Sequence, residues 1–208
     1  MEHSKIITGA MKYVNKILMP LEDHYYHHYG HALDVMERAY YIGKKENITD
    51  DDLEALCIAA LFHDTGFVIQ YDTNEPVGAK IATNYLKTIL YPEDKIHLIE
   101  SLILATDPAY KTPANKLEEI IKDADLDNLG REDFFDKADK LKKEIEVIKK
   151  IKIKFPDWHH AGLDLLYDHH FFTQTQRSER EERKALNKAR LKSMLQEEEK
   201  SASYNLDF

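Results

Sequence analysis

The sequence predicts an all-α protein, a compact helical bundle followed by a charged C-terminal helix. Three observations support this fold class. Only seven glycines and six prolines interrupt the 208 residues, which favours long helices with short connections over a many-stranded sheet. Apolar residues recur at helical spacing in successive segments, and no two segments resemble a pair of strands. The hydrophobic fraction of 43% is sufficient for a buried core in a chain of this length.

The helices follow one another along the chain and are predicted from apolar spacing and from capping or breaking residues. The first runs from Ile6 to Met19 and ends at Pro20. The third, residues 51–64, is apolar nearly all round, which is typical of a helix buried in the middle of a bundle. The remaining helices are expected over residues 31–45, 76–90, 92–105, 114–129, 131–154 and 158–173.

Two parts are expected in the chain: a helical domain over residues 1–177, then a charged C-terminal helix with a tail over residues 178–208. The second part carries a thin apolar stripe among many charges, formed by Leu186, Leu191, Met194 and Leu195. We expect a helix of this kind to lie on the surface or to fray into solvent. The last eight residues are expected to be disordered.

The net charge of −9 and the single cysteine, Cys57, narrow the class of function. A strongly acidic chain is poorly suited to binding a nucleic acid duplex, which requires lysine and arginine. The negative net charge does not exclude a small anionic substrate, because a bound metal supplies local positive charge. One cysteine excludes an internal disulfide and favours a cytoplasmic protein. No run of about twenty apolar residues occurs, so no membrane span is expected.

The pair His63 and Asp64, at the end of the buried apolar helix, is the most informative feature for function. Neither residue type is easily buried without a partner. Adjacent helical side chains point about 100° apart, so the two cannot satisfy each other. A cation held between them and more distant ligands would satisfy both. In an isolated pair the commoner arrangement is that the histidine bonds a carbonyl group and the aspartate caps the helix.

Two further features favour the cation. His31 opens a helix upstream, and Asp125 lies in the acidic run DADLDN, residues 123–128. Together with the His-Asp pair they make a set of two nitrogen and two oxygen ligands, which suits divalent transition metals or Mg²⁺. Taken alone, the acidic run is more often a solvated helix face or a helix cap.

The order of these residues along the chain, a His, then a His-Asp pair, then a distant Asp, resembles that of the HD superfamily of metal-dependent phosphohydrolases. The segments HHYGHALDV (27–35) and ADLDN (124–128) are similar to metal-binding segments of cyclic-nucleotide phosphodiesterases, and AALFHDTGF (59–67) is typical of small bacterial HD proteins. The resemblance covers roughly residues 27–130 and implies an HD-type helical bundle. It implies His31, His63, Asp64 and Asp125 as metal ligands. The implied reaction is hydrolysis of a phosphoester, with nucleotides or cyclic nucleotides as expected substrates.

The resemblance also implies catalytic roles. Asp64 would orient or deprotonate the attacking water, and His27 matches the phosphodiesterase histidine that protonates the leaving oxygen. Many HD proteins have a His-Glu pair after the HD helix, where this chain has Asn74 and Glu75. Glu75 either bonds the attacking water or only caps the following helix. A clamp made by His27 and His31 at i,i+4 is an alternative, but it leaves the His-Asp pair unexplained.

The implied cofactor is one divalent metal ion, namely Mn, Fe, Co, Ni or Mg, with a second and weaker ion beside Asp64 left open. The five-histidine ligand sets of di-iron members are absent, which disfavours an oxygenase. The main alternative to an enzyme is a non-catalytic regulatory module that binds a metal or a nucleotide.

A last group of residues lies near the C-terminus. His169, Thr173 and Arg177 recur at i, i+4 and i+8, the spacing of one helix face, in a segment that resembles HD domains found beside membrane effector modules. We predict that His169 contacts substrate and that Arg177 and Lys184 contact phosphate. The alternative is a packed histidine and surface cations. The expected partner is therefore a small phosphorylated substrate, and a homodimer is left open.

Overall fold

A computed structural model describes the backbone of residues 4–204 and the side chains of residues 4–198. The fold is all-α, as predicted: it is 73% helical, and no strand occurs in the described part of the chain. Two short 3-10 turns, Thr65–Val68 and Asp127–Gly130, interrupt the helices. The α-helices are α1 (Lys5–Leu18), α2 (Tyr29–Lys45), α3 (Asp50–Phe62), α4 (Glu75–Thr88), α5 (Glu93–Leu104), α6 (Lys116–Asp125), α7 (Phe134–Lys149), α8 (Phe155–Asp168) and α9 (Gln174–Tyr204).

Helix α3 lies at the centre of the larger of two hydrophobic clusters. Thr49 caps its N-terminus, accepting a hydrogen bond from the Asp52 amide at 3.2 Å, and three aspartates in the first turn favour the positive end of the helix dipole. Every residue from Ala55 to Phe62 is buried, with α1, α2 and α5 packed around the helix. The predicted central helix is confirmed, and its C-terminal end carries the His-Asp pair to the edge of the core.

The chain leaves α3 through a turn that requires glycine at position 66. A Cβ atom on Gly66 would lie 1.9 Å from the carbonyl oxygen of Asn74, so only a residue without a side chain permits this approach. The N-terminus of α4 therefore packs directly against the end of α3. This contact brings Asn74 and Glu75 to the neighbourhood of His63 and Asp64.

Three predicted helices end elsewhere than expected. The helix predicted over residues 114–129 stops at Asp125, and the 3-10 turn Asp127–Gly130 follows it. The helix predicted over residues 131–154 is shorter, because α7 stops where Lys150 adopts a left-handed φ of 53°. The helix predicted over residues 158–173 starts earlier, at Phe155, and ends at Asp168. The single helix face predicted for His169, Thr173 and Arg177 is therefore wrong, since residues 169–173 form a linker between α8 and α9.

Asp123, on α6, explains why this linker is not helical. Its carboxylate accepts hydrogen bonds from the backbone amides of Phe172 (2.9 Å) and Thr173 (2.7 Å) and from the Thr173 hydroxyl (2.7 Å). These long-range bonds replace the bonds that a continued helix would make. The Thr173 hydroxyl also accepts from the Gln176 amide at 3.2 Å, so the linker ends by capping α9.

Helix α9 packs through part of its predicted apolar stripe. Leu191 and Leu195 are buried, whereas Leu186 is exposed, and the helix contacts α8 and the 3-10 turn Asp127–Gly130. The helix continues through Tyr204, so residues 201–204 of the expected disordered tail are helical, and residues 205–208 lie outside the described residues. The domain boundary at residues 177 and 178 stays a prediction. Neither α9 nor any other described helix is both long enough and apolar enough to cross a membrane.

Candidate metal centre and active site

Four side chains from three parts of the chain converge at the end of α3. His31 lies in the first turn of α2, His63 and Asp64 follow α3, and Asp125 is the last residue of α6. The Nε2 atoms of both histidines lie 3.1–3.3 Å from Asp64 Oδ2 and Asp125 Oδ1. His31, His63 and Asp125 also have ligand atoms within 4.8 Å of one another. The structure thus brings together all four residues predicted as metal ligands.

The atoms of this cluster that lack hydrogen bonds are suited to binding a cation. His63 Nε2 and Asp64 Oδ2 are buried and have no hydrogen-bond partner, an arrangement that is costly unless something else satisfies them. His63 Nδ1 donates to the Ala60 carbonyl oxygen at 2.7 Å, which leaves the Nε2 lone pair facing the cluster. Two imidazole nitrogens and two carboxylate oxygens form a donor set that divalent metals accept. The residues therefore fit a divalent metal ion.

The charges in the cluster are strongly coupled. Burial alone would lower the pKa of His63, but Asp64 and Asp125 raise this pKa well above its usual value. Burial would likewise raise the pKa of Asp125, but the nearby His63 and His31 lower it well below its usual value. Nearby histidines lower the pKa of Asp64 as well, so both aspartates are ionised at neutral pH, as metal binding requires. The same carboxylates favour a proton on His63 in the metal-free protein, and a bound metal would displace that proton from Nε2.

Removing the metal is expected to destabilise the protein, because the ion binds a site that exists only in the folded chain. At a free-ion concentration a hundredfold above Kd, binding contributes about 2.7 kcal/mol. For a chain of this size, that corresponds to a fall in Tm of about 5–10 °C after chelation. Calorimetry before chelation, after it and after Mn²⁺ is restored measures the effect, with Asp125→Asn as the control variant that responds weakly. An unchanged Tm after exhaustive chelation would contradict a metal bound at these residues.

A buried glutamate that the sequence analysis missed organises the loop before α2. Glu144, on α7, is fully buried, and its Oε2 accepts from the backbone amides of Tyr26 (2.8 Å) and His27 (2.9 Å). Its Oε1 accepts from the Tyr71 hydroxyl at 3.0 Å and pairs with His27 Nδ1. In the sequence, Glu144 lies in a stretch of lysines and glutamates where nothing distinguishes it from solvent-facing neighbours.

His27 is held beside the metal cluster by this glutamate and by an aromatic ring. Its ring stacks on Phe67, with centroids 4.2 Å apart, and lies 5.9 Å from the His31 ring. Burial alone would lower the pKa of His27, but Asp64 and Glu144 raise it above its usual value. With Nδ1 paired to Glu144, Nε2 is the nitrogen left to face a substrate. The position suits the predicted general acid, a role that stays a prediction.

Replacing Glu144 with glutamine is expected to shift the pH dependence of turnover. The carboxylate raises the pKa of His27, so its removal lowers that pKa and reduces the protonated fraction at neutral pH. A general acid is active only while protonated, so the alkaline limb of the kcat profile should move to lower pH. The kcat profile of Glu144→Gln, with an NMR titration of the histidines, measures both changes. If the pH profile of kcat did not move in a variant with a normal Tm, Glu144 would have no role in tuning the proton transfer.

Glu75 lies buried at the start of α4. Burial raises its pKa, and the charges of Asp107, Asp64 and Asp125 raise it further, which places its carboxyl within electrostatic reach of the metal cluster. Its Oε1 accepts from the Asn74 side-chain amide at 3.3 Å. A carboxyl with a raised pKa beside a metal site can exchange protons with water. The catalytic role of Glu75 stays a prediction.

The two C-terminal cations predicted to bind phosphate are engaged in other contacts. Arg177 is exposed and donates to the Phe172 carbonyl oxygen at 2.8 Å. Lys184 is only 3% exposed, and its Nζ donates to the His169 carbonyl oxygen and lies 3.5 Å from the Glu181 carboxylate. Phosphate binding by these residues stays a prediction, which their contacts do not support.

A chamber of about 500 Å³ opens beside Asp125, and we call it the Asp125 chamber. Its walls include two lysines, Lys111 and Lys122, together with His169. Burial lowers the pKa of His169 to about 3, so this imidazole is neutral, and its buried Nδ1 has no hydrogen-bond partner. The chamber therefore combines a candidate metal ligand, cationic groups and an imidazole free to bond a ligand. Further wall residues are Thr106, Pro108, Tyr110, Leu126, Leu165, Asp168, His170 and Phe172.

This fold and this cluster define an all-α protein with a candidate metal centre of two histidines and two aspartates. Residues 28–128 match the family described as HD domain, which confirms the resemblance to the HD superfamily seen in the sequence. None of the curated proteins matches the chain.

Two crystal structures of YpgQ from Bacillus subtilis are similar to this fold. One is the complex of YpgQ with ADP, and the other is its selenomethionine form. Each is 20% identical in sequence and superposes with a TM-score of 0.66. The matches cover 92% of this chain and 94% and 93% of the YpgQ chains. At this identity, the likeness shows a shared fold.

Proposed function

We propose that this protein is a metal-dependent phosphohydrolase that cleaves a phosphoester, most simply of a nucleotide or cyclic nucleotide. The observation that carries the proposal is the convergence of His31, His63, Asp64 and Asp125, with buried atoms that lack any other partner. The Asp125 chamber has the size of a small-molecule site, and its lysines suit an anionic substrate. The ADP bound by YpgQ, a protein of the same fold, supports a nucleotide.

The four cluster residues would hold one divalent ion through His31 Nε2, His63 Nε2, Asp64 Oδ2 and Asp125 Oδ1. A bound ion of this kind polarises a phosphoryl oxygen and lowers the pKa of water towards neutrality. Mn, Fe, Co, Ni and Mg are all compatible with the donor set. A second, weaker ion beside Asp64 is part of the same proposal.

The chain's own residues would then move two protons. The second carboxylate oxygen of Asp64 would orient the attacking water and accept its proton, with Glu75 as an additional acceptor. His27 Nε2 donates a proton to the leaving oxygen as the phosphorus–oxygen bond breaks. The products are an alcohol and either a phosphomonoester, from a diester substrate, or inorganic phosphate, from a monoester.

The cellular setting is part of the proposal. Cys57 is buried and unpaired, which suits a reducing compartment such as the cytoplasm. The expected partner is a small phosphorylated molecule.

Turnover of a substrate panel tests the proposed function. The purified protein is loaded separately with Mn²⁺, Co²⁺, Ni²⁺ and Mg²⁺ and assayed with nucleotides, cyclic nucleotides and non-nucleotide phosphoesters. We expect metal-dependent release of product that is lost in Asp125→Asn. Binding of metal and nucleotide without turnover under any condition would instead assign the chain as a regulatory module.

A further inference from the structure

A buried glutamine in the first turn of α9 forms hydrogen bonds on both sides of a candidate metal ligand. Gln176 is fully buried, and its Nε2 donates to the Asp123 carbonyl oxygen and to Asp127 Oδ1, each at 2.9 Å. Asp123 precedes Asp125 by two residues, and Asp127 follows it by two. The side-chain amide of Gln176 therefore brackets the segment that carries Asp125.

The bracketed segment is the end of a helix, where the backbone is least constrained by the helix itself. Asp125 is the last residue of α6, and the last carbonyl groups of an α-helix have no partner within the helix. The Lys122 carbonyl oxygen accepts from the Leu126 amide at 3.2 Å, whereas the Asp123 carbonyl oxygen accepts from α9. Helix α9 thus supplies a bond on which the position of the Asp125 carboxylate depends.

The same glutamine also bonds to α2, the helix that carries His31. Its Oε1 accepts from the Arg38 guanidinium, with Arg38 Nε at 3.2 Å, and Arg38 Nε lies 2.8 Å from Asp127 Oδ1. Arg38 follows His31 by two helical turns, so the two side chains lie on one face of α2. The Arg38–Asp127 contact joins the same two segments as the metal cluster does, where His31 Nε2 lies 3.3 Å from Asp125 Oδ1.

Burial makes these contacts costly to lose. Asp127 is only 2% exposed, and Arg180 of α9 adds a second arginine contact, at 2.7 Å from Asp127 Oδ1. Buried charged groups require their partners, because little water reaches them as a replacement. The network therefore holds α2, the end of α6 and the first turns of α9 in one arrangement.

We infer that Gln176 is a positioning residue of the metal centre and that the first turns of α9 support the site. Through its bonds to both flanks of Asp125 and to Arg38, Gln176 keeps Asp125 at the distance from His31 at which both bind one ion. The inference rests on the metal site of the proposed function. It adds a role for α9, a helix that its sequence predicted to lie on the surface or to fray. Because coupling between two equilibria is reciprocal, metal binding should in turn hold α9 more firmly.

Amide exchange of the wild-type protein tests this coupling without any substitution. The full chain is freed of metal by chelation, and hydrogen exchange is followed by mass spectrometry with and without Mn²⁺. We expect saturating Mn²⁺ to slow exchange in residues 176–186 as well as in residues 120–127, although all four candidate ligands lie outside α9. Unchanged exchange in residues 176–186 would overturn the inference.

Gln176→Met tests the glutamine itself. The substitution keeps an unbranched side chain of similar size, removes the three bonding partners of the amide, and leaves Asp127 with its two arginine contacts. Groups that orient metal ligands without touching the ion contribute about 10–100-fold to affinity. We therefore expect calorimetric titration to show Mn²⁺ bound at least about tenfold more weakly than in the wild type, with the effect of Mn²⁺ on α9 exchange lost.

Thr175→Val is the matched control, in the same turn of α9. The Thr175 hydroxyl donates to Glu46 Oε1 at 2.7 Å, and Glu46 caps the C-terminal end of α2, whereas His31 lies in the first turn. The control should lower Tm, because α9 loses a bond to α2, and it should keep the Mn²⁺ affinity within about twofold of the wild type.

The outcomes separate this inference from the proposed function, because Mn²⁺ affinity is measured without substrate. Normal Mn²⁺ affinity in folded Gln176→Met overturns the inference and leaves the hydrolase proposal standing. Equal weakening in Thr175→Val does the same, since the effect would then come from a general loosening of α9. Weaker Mn²⁺ binding in Gln176→Met alone, in a protein that hydrolyses no phosphoester, supports the inference while the hydrolase proposal fails. Absence of Mn²⁺ binding in the wild type overturns both.

Discussion

Asp64→Ala is expected to lose bound metal and turnover together. Asp64 Oδ2 lies 3.3 Å from His31 Nε2 and 3.1 Å from His63 Nε2, so the substitution removes one of four candidate ligands. It also removes the carboxylate oxygen proposed to orient the attacking water. Because general base catalysis alone contributes 10²–10⁴-fold, we expect turnover to fall at least about 10³-fold.

Elemental analysis of the purified variant measures the metal, and kcat/KM with the best substrate of the panel measures turnover. The matched control is Asp72→Ala, because the Asp72 side chain is 78% exposed and pairs with Lys149 at 2.7 Å, away from the cluster. The control should keep full metal content and activity. Stoichiometric metal and normal turnover in Asp64→Ala would remove this residue from both roles.

Local signals in the sequence are sufficient to predict the central helix and the ligand set. Helix α3 has a capping threonine, acidic residues in its first turn and an uninterrupted apolar run, and each of these acts within one or two turns. His63 and Asp64 stand out because they end that run. Their two distant partners, His31 and Asp125, are placed by the order of motifs shared with the HD superfamily, and the folded chain brings all four together.

Long-range contacts account for what the sequence analysis missed. Glu144 is 117 residues from His27, and it lies among lysines and other glutamates, where nothing in the local sequence marks it as buried. The linker after α8 has helical spacing, yet the bonds from Phe172 and Thr173 to Asp123, about 50 residues away, outweigh it. Spacing along one segment contains no information about such partners.

The acidic run, residues 123–128, also shows that long-range contacts decide what the local sequence does not. Asp125 faces the metal cluster, whereas Asp123 anchors the linker and Asp127 is a buried partner of Arg38 (2.8 Å) and Arg180 (2.7 Å). The three carboxylates look alike in the sequence. Their different roles depend on which helix each one meets in the folded chain, so only the resemblance to the family singled out Asp125 in advance.

His27→Ala is expected to spare the metal and slow the chemical step, by about 10²–10⁴-fold if His27 is the general acid. The ring lies beside the cluster without joining it, 5.9 Å from the His31 ring, and its Nδ1 is paired with Glu144. Loss of the side chain should therefore leave all four candidate ligands in place. Metal content measured alongside kcat separates the two effects.

The leaving group of the substrate provides the decisive comparison. A p-nitrophenyl ester releases an anion of low pKa that needs no proton, so this substrate should partly rescue His27→Ala but not Asp64→Ala. His97→Ala is the matched control, because that histidine is 69% exposed on α5 and should show no loss with either substrate. Equal losses with good and poor leaving groups would make His27 a binding residue. Loss of the metal in His27→Ala would instead place His27 among the ligands.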